Sequence, residues 1–464
     1  MGKTQFTILF FLLLSATLCA QNWSELDRFL DKHLSRFNLP GAAVAIVQGD
    51  SLVHTWTGGD WPGPNRPYYL GSPSKPFTAA AVLQLVDAGR LSIDDPVQKW
   101  LPELIFNGAQ PEQMKVAHLL RHRSGLTRRQ GLMPVPTLEA LQERTFELTL
   151  YYAPGSREEY SNLNYVLLGL LIERVSGRSY AGYLRDSIFQ PLDMDNSYCR
   201  RIVAGDQLMR GHQFWFGIPV ESEQAGYKET AIPAGFIISS PQDVAHFLIA
   251  HLREGAYKDR QVLSSPHIRR LRHFADEDRS RVLNWRTGSW NGHSLLQSDG
   301  ATATSYAYMV LLPKEDLGFV FMTNVNAYNP IANSVQGFPE GILNFLTGSE
   351  PGDYFPYNLI VLLAFGLVLA LNLIALVRRG LSWVKAGAPM DSGESRNAML
   401  KMIFWKLIVP VGVAWALLRY FDISLTNLLV LQPDMGWTIV VSIFAGFVAG
   451  FLEHFTSVKE NTNT

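Results

Sequence analysis

Apolar positions recur three and four apart through Leu26, Phe29, Leu30, Leu34 and Phe37, which predicts an amphipathic helix. Two short apolar runs follow, Ala43 to Val47 and Leu52 to Trp56, around Gln48-Gly49-Asp50, and predict a β-hairpin. A second hairpin is predicted far down the chain, where Tyr306 to Leu312 and Phe319 to Thr323 flank Pro313-Lys314-Glu315-Asp316. Between these β-rich ends the pattern is mostly helical, as in Thr78 to Ala88 and in Asn164 to Val175, which stops before Gly177. The expected fold class is therefore α/β: an antiparallel sheet made from both ends of the domain, flanked by helices, with a helical insert. No internal repeat is visible.

Both ends of the chain read differently. Residues 1–20 have the form of a secretory signal: Lys3, the apolar run Ile8 to Leu14, then mostly small residues up to Ala20. After Tyr357 three apolar stretches predict a three-helix membrane region at 359–377, 402–421 and 437–452. The first, Leu359 to Val377, has nineteen residues without a charge, close to the ~20 that span hydrocarbon. Tyr354, Tyr357, Trp405, Tyr420 and Trp437 stand near the span ends, as an aromatic belt would. The loop between the first two spans carries Arg378, Arg379, Lys385, Arg396 and Lys401, and Asp422 to Gly436 carries no basic residue. Positive-inside counting puts the first loop in the cytoplasm and the large domain, 21–348, outside, as the signal also does. The expected location is the cell membrane, multi-pass, with that domain periplasmic in a Gram-negative cell. The linker 349–358 is short: Gly348 to Phe355 reaches at most ~28 Å, so the domain is held near the bilayer surface.

Composition narrows the function. With 40 Lys+Arg against 41 Asp+Glu the net charge is −1, which argues against a nucleic-acid partner. The only cysteines are Cys19 and Cys199, too few for a disulfide scaffold or an all-cysteine zinc site. Cleavage after Ala20 would leave Cys199 alone.

The candidate chemistry starts at Gly71-Ser72-Pro73-Ser74-Lys75, ahead of a helix expected from near Phe77. A serine at a helix N-terminus lies among unpaired N–H groups and the positive dipole end. A lysine three residues on falls on the same face. It can take the hydroxyl's proton if burial keeps it neutral. Ser-x-x-Lys alone is a weak signal, and Ser382 to Lys385 repeats it in a loop assigned to the cytoplasm. Tyr160-Ser161-Asn162 follows Pro154-Gly155 in what reads as a short loop. Two residues apart, the phenol can relay a proton and the amide can grip a substrate carbonyl. A core tyrosine beside a helix-capping asparagine is the commoner meaning of such a tripeptide. His118 and His122 have a metal-helix spacing but lack the Glu of His-Glu-x-x-His, so neither a metal nor a cofactor is expected. His293 after Asn291-Gly292 reads as a hairpin-turn residue, and Ser124-Gly125 as a turn.

In this order and context the chain resembles the serine β-lactamase and penicillin-binding-protein superfamily, in its class C and esterase-like branch. The likeness covers residues 23 to 345. It is carried by Leu39-Pro40-Gly41, Asp94-Asp95-Pro96-Val97, Trp100 to Leu104, His118-Leu119-Leu120 with Ser124-Gly125-Leu126, Pro154 to Gly177, and Phe189 to Met194. The resemblance implies a Ser/Lys/Tyr acyl-transfer machine: Ser72 as nucleophile, Lys75 as proton partner, Tyr160 as second relay member and Asn162 as substrate-amide ligand. It leaves open whether Lys75 or Tyr160 is the base, and it makes the two histidines structural.

The family's third element, Lys or His, any residue, then Gly, falls on Ser298-Asp299-Gly300 when counted back from the terminal hairpin. Arg286-Thr287-Gly288 is nearer the pattern but lies too far from that hairpin. Gly300 lets the strand approach the substrate, and the N–H of Ala301 with that of Ser72 would form an oxyanion hole. The cation that would hold a substrate carboxylate is missing, a loss of ~1.5–3 kcal/mol, or roughly 10- to 150-fold. Asp299, if it points inward, adds to the penalty. The expected activity is therefore extracytoplasmic serine hydrolysis of cell-wall peptides or small esters and amides, with weak or no β-lactamase activity. The alternative is a catalytically impaired domain that binds a peptidoglycan fragment or a partner protein. Nothing in the sequence specifies an oligomeric state.

Overall fold

The computed structural model describes residues 23–462 except 61, 133–135, 144–145, 225–226, 275–280, 327–334, 336, 355–356, 387–399, 402, 421–424, 426–427 and 430–432. The expected signal segment lies outside the described residues. Helix α1 (Trp23–Arg36) buries Leu26, Phe29, Leu30 and His33 along one stripe, as its spacing predicts. Strands β1 (Gly41–Gln48) and β2 (Ser51–Gly59) form the first hairpin. The insert opens with α2 (Ser74–Asp87) and continues with α3 (Asn162–Ser176), hairpin strands β3 (His212–Trp215) and β4 (Ile218–Glu221), α4 (Ile232–Gly235) and α5 (Pro241–Leu252). The chain then returns to the sheet through β5 (Arg281–Val282), β6 (Trp285–Trp290), β7 (His293–Ala301), β8 (Tyr306–Leu312) and β9 (Leu317–Thr323), and α6 (Gly337–Leu346) follows. The seven strands run β5-β6-β7-β8-β9-β1-β2, antiparallel throughout, so the first and last hairpins meet at the β9–β1 pair.

The sheet is covered on both faces. In β1, Ala43, Ala45 and Val47 pack into the cluster shared with the insert, and Ala42, Val44 and Ile46 into the cluster shared with α1 and α6. In β8, Ala307, Met309 and Leu311 divide from Tyr306, Tyr308 and Val310 in the same way. A strand buried on both faces reads as a continuous apolar run rather than an alternating one, and these strands do. In the insert, α2 is buried from Ser74 to Leu83, while α3 ends at Gly177, whose φ of +70 suits the left-handed position after a helix. Gly169 on α3 lets Pro233 approach, since a Cβ there would lie 2.9 Å from the Pro233 Cβ.

Near the joint of insert and sheet, His251 on α5 donates from Nδ1 to the Phe247 carbonyl at 2.9 Å and meets the Trp285 ring edge-on. Burial lowers its pKa from 6.5 to about 4. The unfolded chain therefore binds the extra proton first, and stability present above pH 6.5 is lost as pH falls toward 4, by about 3 kcal/mol. Urea midpoints measured between pH 7 and pH 4.5 are expected to fall more steeply for the wild type than for His251→Gln.

Three helical regions stand near the expected spans: α7 (Tyr357–Ala386), α8 (Val409–Tyr420) with the π-helical turn Phe404–Ile408 before it, and α9 (Pro433–Thr462). Among the described residues one stretch, Met435–Leu452, is long and apolar enough to cross a membrane, and Gly366–Arg378 and Phe404–Ala416 are shorter apolar helices. Three full spans are thus not all met by this measure.

Candidate active site

Helix α2 begins at Ser74, ahead of the apolar run near Phe77, because Gly71-Ser72-Pro73 already turns. The Ser74 N–H donates to the Gly71 carbonyl and the Lys75 N–H to the Ser72 carbonyl, both at 2.9 Å. Pro73 at φ −55 fits its ring's fixed torsion. This turn brings Ser72 and Lys75 to one side of the helix start.

The Lys75 side chain is wholly buried. Its Nζ donates to Ser72 Oγ at 3.1 Å, to Asn162 Oδ1 at 2.8 Å and to the Ala234 carbonyl on α4. A neutral amine has two N–H bonds and a lone pair. Asn162 and Ala234 can accept those two N–H bonds, leaving the third direction, toward Ser72, for either a proton or the lone pair. Tyr160 approaches the same hydroxyl from the opposite element, with its OH 2.5 Å from Ser72 Oγ and 3.4 Å from Asn162 Oδ1. Asn162 is not in a loop, as the sequence suggested. It is the first residue of α3, behind the extended Ser161 N-cap at φ −142, so its amide is held by a helix.

The third wall is β7. A Cβ on Gly300 would overlap the Ser72 amide nitrogen and lie 2.8 Å from both Ser72 Cβ and Pro73 Cδ. Reciprocally, a Cβ on Gly71, which has φ +65, would lie 2.8 Å from Gly300 C and 3.0 Å from Ala301 N. The two backbones thus touch only because both residues are glycine, and the Ser72 and Ala301 amides come from the touching stretches. Ser298 is buried beside them. Asp299 does not point inward: side chains alternate along a strand, and it pairs with Arg286 on the other face. There Gln297, opposite Arg286 in register, bonds Tyr308. Burial, and then the charge of Asp299, push the Tyr308 phenol well up. The rival Arg286-Thr287-Gly288 lies on β6, one strand farther from Ser72, with its arginine committed to that ion pair.

Sequence reasoning missed a residue here. Leu283 and Asn284 form the two-residue turn between β5 and β6, with φ of +53 and +64, as a type I′ turn requires. Asn284 is buried, and its Nδ2 lies 3.4 Å from both the Ser72 carbonyl and Ser298 Oγ. Its Oδ1 faces His122 Nε2 at 3.2 Å. His122 Nδ1 accepts from the Ser161 N–H at 3.2 Å and from Asn164 Nδ2 at 3.1 Å, which assigns its proton to Nε2. Ser124 anchors this chain by donating to Asn164 Oδ1 at 2.5 Å. His122 therefore connects Tyr160-Ser161-Asn162 to Asn284 and thence to Ser298, and its ring lies 4.6 Å from that of Tyr160. His118 faces elsewhere, accepting from the Lys115 N–H; burial, and then Lys115, Arg121 and Arg123, lower its pKa. His293 is not in the turn but is the first residue of β7, paired with Glu315 at 2.6 Å.

The profile of the family described as Beta-lactamase matches residues 26–335. The chain belongs to the β-lactamase family. Among curated relatives, Protein flp of Staphylococcus aureus (strain NCTC 8325 / PS 47) is 25% identical over 320 residues, covering 65% of this chain and 63% of that protein. The chain therefore spans a little under two thirds of that relative. Among solved structures, an octameric penicillin-binding protein homologue from Pyrococcus abyssi superposes with a TM-score of 0.59 at 23% identity, covering 75% of this chain and 81% of the other. A class C β-lactamase gives 0.57 at 19% identity, covering 71% and 97%. These likenesses show the fold, an α/β β-lactamase-like domain with an antiparallel sheet. The β-lactamase family as a whole is one of serine hydrolases.

Proposed function

We propose that the chain is a membrane-anchored, extracytoplasmic serine hydrolase that acts on cell-wall peptides or small esters and amides through an acyl intermediate on Ser72, with weak or no β-lactamase activity. The observation that carries this reading is the convergence of Lys75 Nζ and Tyr160 OH on one hydroxyl, at 3.1 and 2.5 Å. Ser72 Oγ attacks the substrate carbonyl as its proton passes to Lys75 or Tyr160, which form one relay. The oxyanion takes the Ser72 and Ala301 N–H groups, and Asn162 orients the substrate amide. The relay returns the proton to the leaving alcohol or amine, and water then repeats the cycle on the acyl-serine to release acid. The predicted signal, the basic loop after the first apolar stretch and the apolar helix Met435–Leu452 support anchoring with this domain outside.

Ser298 presents a neutral group where relatives of this pattern have a cation, which disfavours anionic β-lactams. The same substitution favours a second reading, a domain that binds a cell-wall fragment without turning it over. Intact mass of the full-length protein after exposure to an activated short-chain ester and, separately, to a fluorescent penicillin separates the two. The expected result is an ester adduct that maps to Ser72, with slow penicillin labelling that Ser298→Lys accelerates ~10-fold or more. Neither an adduct nor turnover of either probe on folded protein would overturn the hydrolase reading and favour the binding one.

A further inference from the structure

We propose that the β3–β4 hairpin is a second membrane contact, a rigid apolar finger that enters the outer leaflet beside α7 and fixes the height of the catalytic cleft above the bilayer. This rests on the membrane placement of the C-terminal helices proposed above. From Phe214 to Val220 the chain reads Phe-Trp-Phe-Gly-Ile-Pro-Val, without a charge, and Arg210 pairs with Glu221 at its base. The tip is well defined: Phe216 and Gly217 have φ of +50 and +81, Trp215 stands opposite Ile218 in register, and Asn38 Nδ2 donates to the Gly217 carbonyl at 3.2 Å. Phe214 is buried toward the body, yet Ile218 and Val220, on one face of β4, are 63% and 43% exposed. A fixed turn that presents bare branched aliphatics to water has no folding rationale.

The height of the hairpin supplies one. Its Phe216 ring lies against α7 at Gly366, where a Cβ would meet Phe216 Cδ1 at 3.4 Å. Gly366 is seven residues beyond Leu359, where the uncharged stretch begins, or ~10 Å along the helix. If that stretch enters hydrocarbon at Leu359, the fingertip lies ~10 Å inside a core ~30 Å thick. Leu363 and Leu367 on α7 are themselves exposed at this level, as lipid-facing side chains would be. Phe216 and Ile218 are side chains favoured at such a depth, and Pro219 removes one N–H that lipid would leave unpaired. The finger is coupled to the site, because Gln224, just past β4, accepts from Thr304 at 2.7 Å in the turn that follows Ala301.

The test uses the full-length protein with Cys19→Ser, in phosphatidylcholine–phosphatidylglycerol vesicles. A nitrobenzoxadiazole label is placed singly through Ile218→Cys, Val220→Cys, Leu367→Cys or Asp50→Cys; native Cys199 is buried. Asp50 is the control for water, since it lies beyond the far end of β1 from the hairpin: Ala42 at the near end pairs with Thr323, next to the segment that pairs with β3. Spin-labelled lipids are expected to quench labels at 218 and 220 about as well as at 367 and to leave 50 bright. Quenching at 367 alone, with 218 and 220 open to aqueous iodide, overturns the finger. Labels at 218 and 220 shielded from both quenchers would mean a protein covers the hairpin, which also overturns it. No quenching at 367 would remove the membrane placement itself, and the proposal with it.

Discussion

Ser72→Ala is expected to lower acylation by an activated ester ~10⁴-fold or more, and Lys75→Met nearly as much. The double variant should be scarcely worse than either one. The reason is that the two side chains act as one unit: the hydroxyl is a poor nucleophile without a base within reach, and the amine has no chemistry without the hydroxyl, so the losses overlap rather than add. Lys75→Met keeps an unbranched chain in a fully buried slot, but it takes the Lys75 donor from the Ala234 carbonyl and leaves Asn162 Oδ1 only the longer contact to Tyr160 OH at 3.4 Å. It should therefore lower the melting temperature as well, at ~1–3 kcal/mol for the Ala234 carbonyl left unpaired. Ser72 is partly exposed at the helix start, and its truncation should leave stability nearly unchanged. Single-turnover acylation measured with thermal melts on all three variants checks the pattern. Additive losses would mean that Lys75 acts on something other than Ser72.

Much of this architecture was legible because its signals are local or periodic. The strands of β1, β8 and β9 announced themselves as continuous apolar runs, and Ser72, Lys75, Tyr160 and Asn162 by residue type and spacing. Ser298-Asp299-Gly300 could be located only by counting back from a hairpin, yet period two alone would have sent Asp299 to the face away from Ser298 and Gly300. Asn284 was not legible. Leu-Asn lacks the glycine that marks most two-residue hairpins, and the contacts that give Asn284 its meaning, to Ser72 and His122, are with residues far away in sequence. The Ala234 carbonyl that holds Lys75 is a backbone group, and no side-chain pattern can reveal one. His122 drew notice as a possible ligand, but its meaning lay in which nitrogen accepts from Ser161 and Asn164, a matter of tertiary placement.

Gly300→Ala is expected to reduce kcat/KM for a neutral ester at least ~100-fold while the domain stays folded. The added methyl has no free direction. It meets the Ser72 amide and would lie 2.8 Å from Ser72 Cβ and Pro73 Cδ, all parts of a turn that cannot yield without moving the nucleophile. The expected relief is for β7 to back away from that turn, carrying the Ala301 N–H out of reach of the oxyanion. Losing one such donor typically costs ~10²–10³ in rate. Gly292→Ala is the matched control on the same strand's entry. There φ is +85 but a Cβ would meet nothing within 4 Å, so backbone strain costs stability of ~1–2 kcal/mol and turnover should survive. If Gly300→Ala keeps its activity, the β7 backbone does not border the reacting carbonyl, and the oxyanion hole must be sought elsewhere. If both variants lose activity in step with their melting temperatures, Gly300 is a folding residue. Only the split result, activity lost at Gly300 and stability lost at Gly292, fits a strand whose approach to Ser72 serves the chemistry.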